Sequence, residues 1–133
     1  MEEVTVLVEA AINPTETEEK VKTAVANMFG DMLINVKPLQ VGSVLVAESK
    51  SRGAMENFGA ILRRDRVRAA ARKILYKAVR GNTIGFFLNK QVAFAGHASF
   101  SQETGESPLG PLKVMIKTEN PRELIDWLAP RTA

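Results

Sequence analysis

The first apolar residues alternate with their neighbours. Val4, Val6, Val8 and Ala10 interleave with Thr5, Leu7, Glu9 and Ala11, the period-two pattern of a strand over Glu3 to Ile12 with one face buried. Asn13-Pro14 ends that strand, and the period then changes. Val21, Ala24, Val25 and Met28 recur at helical spacing, with Gly30 as the stop. Thr15 and Glu18 have the spacing of a capping box at the start of this helix. Met32 to Lys37 and Leu39 to Glu48 read as further strand material. Pro38 makes the first of these an edge strand or a short piece, because proline cannot donate to a hydrogen-bond ladder. Ser49 to Gly59 is small and polar and leads into a short helical turn around Met55 to Leu62.

The longest periodic segment runs from Arg63 to Val79. Val67, Ala71, Ile74 and Ala78 fall within about 60° of one another at 100° per residue, so the spacing predicts one long helix with that stripe buried. Gly81-Asn82 closes it and supplies a turn. Ile84 to Leu88 is a strand, and Asn89-Lys90-Gln91 separates it from an extended stretch over Phe94 to Phe100. Ser101 to Pro111, rich in Gly, Pro and Ser, reads as a mobile loop. Leu112 to Lys117 alternates apolar and basic residues as a half-exposed strand does. Asn120-Pro121-Arg122-Glu123 is a helix start, with Leu124, Trp127 and Leu128 as the buried face and Pro130 as the end. Strand, helix, strands, long helix, strands, short helix: this order predicts an α+β fold. It is a single-domain two-layer sandwich over residues 1–133, with a mixed or antiparallel sheet and helices packed on one face.

Composition narrows the function classes. A chain of 133 residues, 45% hydrophobic and 25% charged, builds a core without disulfides or metal. With no cysteine there is no disulfide, thiolate nucleophile or sulfur-ligated metal. The start Met-Glu-Glu-Val has neither the positive flank nor the apolar stretch of a signal peptide. No apolar run approaches the roughly 20 residues that span a bilayer. The expected location is the cytoplasm, away from the membrane.

Charge is informative through its placement, since the net value is only +3. Between Asn57 and Ser101 stand nine basic residues and one acid, Asp65. On the predicted long helix Arg66, Lys73, Lys77 and Arg80 share the side opposite the apolar stripe, and Arg68 and Arg72 occupy a flank. A merely solvated helix face would intersperse acids at i,i+4 spacing, where they stabilise the helix. A basic face without them suggests a polyanionic partner.

Candidate chemistry is sparse. His97, the only histidine, lies between Gly96 and Ala98 with no second histidine or cysteine to share a metal, and reads as structural. Ser99, Ser101 and Ser107 lack a nucleophile-elbow context, and no glycine spacing matches a phosphate-binding loop. Glu16, Glu18 and Glu19 suit the positive end of a helix dipole. Phe86, Phe87, Phe94 and Phe100 invite comparison with the stacking aromatics of RNA-recognition sheets. However, Lys90 is followed by Gln91-Val92 rather than glycine and an aromatic. Core packing is the better reading for most of these rings, although one of Phe86 and Phe87 must face away from the core in a regular strand. The expectation is a protein without catalysis, cofactor or metal.

A resemblance extends this reading. Asn13-Pro14-Thr15-Glu16, Leu62-Arg63 leading to Ala71-Arg72, Leu88-Asn89-Lys90-Gln91, Ala93, Gly96, Pro108-Leu109-Gly110-Pro111 and Trp127-Leu128-Ala129-Pro130 together resemble archaeal uncharacterised protein family 0201. That family is similar in fold to a large-subunit ribosomal protein, number five, with a curved sheet, and is grouped with predicted RNA-binding domains. The resemblance implies RNA as partner, and it places Arg63, Arg72, Asn89, Lys90 and Gln91 at the family's polar positions. Ala69 departs from it, standing where relatives are expected to carry an acid. The residues expected to meet RNA are Arg63, Arg66, Arg72, Lys73, Lys77, Arg80, Lys90 and Gln91. The alternative is an assembly module whose basic helix docks on an acidic protein.

Overall fold

The computed structural model describes residues 3–102 and 109–131. Seven strands form one open antiparallel sheet: β1 (Thr5–Ile12), β2 (Leu33–Pro38), β3 (Ser43–Ser49), β4 (Val79–Arg80), β5 (Thr83–Asn89), β6 (Phe100–Ser101) and β7 (Pro111–Lys117). The order across it is β2-β3-β1-β7-β5-β4, with β6 also pairing with β5. The helices are α1 (Glu18–Phe29), α2 (Arg52–Arg64), α3 (Arg68–Lys77), α4 (Lys90–Phe94) and α5 (Pro121–Leu128). This is the expected α+β sandwich, and β2 with its Pro38 is an edge strand.

Register explains the core. Val8 pairs with Ala47 and Val114, and Phe86 pairs with Val114 in turn, so one row of inward side chains crosses β3, β1, β7 and β5. Cα partners in an antiparallel pair share a face. The helices cover that face with Val21, Ala24, Val25 and Met28 of α1, Met55, Phe58 and Leu62 of α2, and Leu124, Ile125 and Leu128 of α5, all buried. Phe58 stacks 5.7 Å from Phe86 and 5.2 Å from Phe29, which places Phe86 in the core and turns Phe87 to the opposite face beside Lys113.

Several local expectations need correction. Thr17, not Thr15, caps α1, accepting from the Lys20 amide at 3.2 Å. Glu16 instead turns back to accept from the backbone and side-chain amides of Asn13. The polar stretch from Ser49 is mostly helix: Ser51 caps α2, and Ala54, Met55, Phe58, Ile61 and Leu62 bury one face of it. The extended stretch expected from Phe94 is helical at its start, because the Asn89 side chain accepts from the Val92 amide and opens α4. Only Phe100–Ser101 is strand there. Gly81-Asn82 turns the β4–β5 hairpin, with Gly81 at φ 60, rather than ending a helix. In α5 it is Ile125 that is buried beside Leu124 and Leu128, while Trp127 is 45% exposed. The mobile loop expected over Ser101 to Pro111 lies mostly outside the described residues.

The largest difference lies in the basic segment, which is two helices and not one. Asp65 ends α2, and Arg66 takes the left-handed conformation at φ 58. The Val67 amide then reaches back to the Leu62 carbonyl at 3.1 Å, the long bond of a Schellman-type stop. A non-glycine residue in that conformation costs about 1–2 kcal/mol. The compensation comes from Asp65, whose carboxylate accepts the Ala98 amide at 3.0 Å, Arg64 Nε at 3.2 Å and a contact from His97 Nδ1 at 3.1 Å. The break also resets the helical phase. In α3 the buried residues are Ala71 and Leu75, Val67 and Ala78 are only partly covered, and Ile74 stands at the surface.

Candidate nucleic-acid interface

The corner between α2 and α3 brings together arginines that a continuous helix would separate. Residues five apart on one helix point about 140° away from each other. Arg63 and Arg68 have that spacing, yet with the chain broken between them both line one cleft of about 310 Å³. Its other walls include Glu56 and Gly59 of α2, with Trp127 and Pro130 from α5 and its exit. Gly59 backs the cleft, and a Cβ there would sit at ordinary contact distance, 3.4 Å from Leu128 and 3.9 Å from the Trp127 ring.

Beyond the corner, the charge on α3 is left over. Arg63, Arg66, Lys73 and Lys77 are exposed, Arg68 is half-buried, and none of their side chains has a hydrogen bond or ion pair among the described residues. Arg80, which follows α3, donates only to the carbonyls of Lys77 and Val79, so its charge is not neutralised either. Two acids of this region are already engaged. Asp65 serves Arg64, His97 and Ala98, and Asp126 serves Arg72 and Tyr76.

Two of the expected contact residues are engaged within the fold. Lys90 is 3% exposed, and its ammonium donates to the carbonyls of Ala11 and Leu109, each at 2.7 Å, and to Glu16 at 3.0 Å. All three of its protons are used, so it is a structural cation. Burial pushes the Glu16 carboxyl up, but the Asn13 amides and the Lys90 ammonium outweigh it and hold the group below the usual carboxylate range. Arg72 is also committed: Nη1 lies 2.7 Å from Asp126 and 3.1 Å from the Ala129 carbonyl, with the guanidinium 4.9 Å over the Tyr76 ring. The Tyr76 hydroxyl donates to Asp126 at 2.8 Å, a bond that raises the phenol and lowers the carboxylate. Gln91 is exposed but lines a different cleft, of about 190 Å³, with Lys20 and Phe94. It does not join the α3 residues in one groove.

His97 is tied to Asp65 at the corner. Among the described residues no group of three or more His, Asp or Glu side chains is placed to hold a metal ion, and no helix is long and apolar enough to cross a membrane. Trp127 and Arg68 line the corner cleft although neither was among the expected contacts. The signal for Arg68 was present in its charge, but the signal for Trp127 was masked by a helical spacing that also fits burial.

Comparison with known proteins places this arrangement in a family. Residues 5–118 match the model of a family described as RNA binding, a span that ends before α5. A UPF0201 protein from Saccharolobus islandicus is 41% identical over 130 residues, covering 98% of this chain and 90% of that protein. One from Sulfurisphaera tokodaii is 42% identical over 128 residues, covering 96% and 88%. The crystal structure of a UPF0201 protein from Methanococcus jannaschii superposes with a TM-score of 0.85 at 28% identity, over 97% of this chain and 95% of that one. Agreement in sequence and backbone over nearly the full length makes the chain a member of the UPF0201 family.

Proposed function

We propose that this is a non-enzymatic, cytoplasmic RNA-binding protein that holds the phosphate backbone along the α2–α3 corner and the exposed side of α3. Arg63, Arg66, Lys73, Lys77 and Arg80 are the contacts. The observation that carries the reading is unneutralised charge: these cations have no carboxylate partner among the described residues, and Asp65 and Asp126 are engaged elsewhere. A polyanion supplies what the fold withholds. The match to a family described as RNA binding favours RNA over an acidic protein. Nothing in this arrangement offers a nucleophile with its base, so the RNA would be bound and left chemically unchanged.

Binding of this kind is mostly electrostatic and sequence-tolerant, because phosphate contacts position a strand without reading it. Protein purified at moderate salt from its host is expected to carry nucleic acid that raises its absorbance at 260 nm and disappears after ribonuclease treatment. Co-purified acidic protein that survives ribonuclease, with no RNA present, would replace this reading with a protein-docking one.

A further inference from the structure

Trp127 is the chain's only tryptophan, and it stands nearly half exposed beside two arginines that have no partner among the described residues. An indole left in contact with water forgoes the burial that usually stabilises it. Here it is held at the side of a cleft, beside Gly59 of α2. Glu56, Gly59 and Arg63 follow one another at helical spacing along α2, so the carboxylate and the guanidinium mark positions about 10 Å apart along the helix axis. Arg68 adds its charge to the Arg63 end across the broken corner. The cleft therefore has a cationic end, an aromatic wall and a lone carboxylate acceptor.

We propose that the cleft between α2 and α5 takes one unpaired nucleotide of single-stranded RNA: its base stacks on Trp127, and its phosphate lies between Arg63 and Arg68. This rests on the RNA-binding reading and adds strand form and base class to it. A paired base cannot offer its face to an indole, so the cleft selects single strand over duplex. Glu56 accepts hydrogen bonds and cannot donate them, so it favours a base with an exocyclic amine, as in the pairing of a carboxylate with cytosine N4. Uracil, of similar size and with a carbonyl at that position, is disfavoured.

The single tryptophan makes the test direct. Tryptophan emission is followed during titration with short oligocytidine, with oligouridine of the same length, with a blunt RNA duplex, and with cytidine monophosphate. Anisotropy of labelled strands reports total binding in parallel. Oligocytidine is expected to quench the emission, the duplex to bind without quenching, and oligouridine to bind more weakly than oligocytidine, a preference that Glu56→Gln abolishes. Trp127→Leu should weaken oligocytidine binding about 10-fold, from the typical contribution of one stacked base. It should leave duplex binding unchanged, and Trp127→Phe should retain most of the single-strand affinity. Melting curves check that the variants fold; should Trp127→Leu fail to, quenching in the parent protein decides. Strand binding with no change in emission, or unchanged affinity in folded Trp127→Leu, would overturn this inference and leave backbone binding standing. Equal binding of oligouridine and oligocytidine would overturn the role of Glu56. Cytidine monophosphate binding as tightly as the oligomer would make the cleft a free-nucleotide site instead. Failure of every RNA form to bind would remove the inference and the RNA-binding reading together.

Discussion

Lys90→Met is expected to destabilise the protein by about 3–5 kcal/mol, the cost of leaving one member of a buried ion pair without its partner. Methionine keeps most of the lysine stem's volume, so the loss reports the ammonium rather than a cavity. Without it Glu16 retains only the Asn13 amides, and the Ala11 and Leu109 carbonyls lose a strong donor. Adding Glu16→Gln to Lys90→Met should recover part of the loss, because no charge is then left buried. The same pair sets an acid dependence. The folded-state pKa of Glu16 is lowered, so its contribution is present above the ordinary carboxylate value and is lost as pH falls through the lowered one. Melting temperatures of parent and variants across that acid range check both points. If Lys90 were the surface phosphate contact that its sequence position suggests, Lys90→Met would leave melting unchanged.

Leu75→Asp is expected to unfold the protein or destabilise it by more than the roughly 2–5 kcal/mol typical of Leu→Ala, since it puts an unpaired carboxylate where the side chain is fully buried. Ile74→Asp, one position earlier, should cost about 1 kcal/mol or less, because Ile74 is 37% exposed. The contrast tests the corrected phase of α3. A single helix running from Arg63 would bury Ile74 and reverse the order of the two variants, which urea unfolding of the pair would register at once.

These two residues also mark where sequence reasoning runs out. β1, α1, β5 and β7 were legible because local periodicity and burial agree over their whole length. The break at Asp65 was not, because no glycine or proline signals it. The stop is held by a carboxylate that reaches the Ala98 amide, 33 positions along the chain. Once the break is missed, Val67 anchors the expected stripe, and Ile74 takes the place of Leu75 while Ala71 stays buried. In α2 the apolar spacing of Met55, Phe58 and Leu62 was read only as a short helical turn, because the two glycines and polar residues around it hid the start at Arg52. Lys90 is buried by acceptors from positions 11, 16 and 109, a convergence that spacing along the chain does not encode. The exposed cations at 63, 66, 73, 77 and 80 were legible individually, whereas the cleft that joins Arg63, Arg68 and Trp127 needed the corner.

If the free charge along α2 and α3 meets phosphate, the salt dependence of affinity registers it directly. Each phosphate neutralised releases condensed counterion, so log affinity falls linearly with log salt. Contacts from Arg63, Arg66, Lys73, Lys77 and Arg80 predict a slope of roughly −3.5 to −4.5. Lys77→Gln should reduce its magnitude by about one and weaken binding similarly for every sequence tested. Helix α3 stays intact in that variant, since lysine and glutamine have similar helix propensity. Labelled RNA titrated against parent and variant at three salt concentrations gives both slopes. A parent slope of about −3.5 to −4.5 that shallows by about one in Lys77→Gln is the predicted result. An identical slope in the two proteins, or no RNA binding at about 50 mM salt where such contacts are strong, would contradict it.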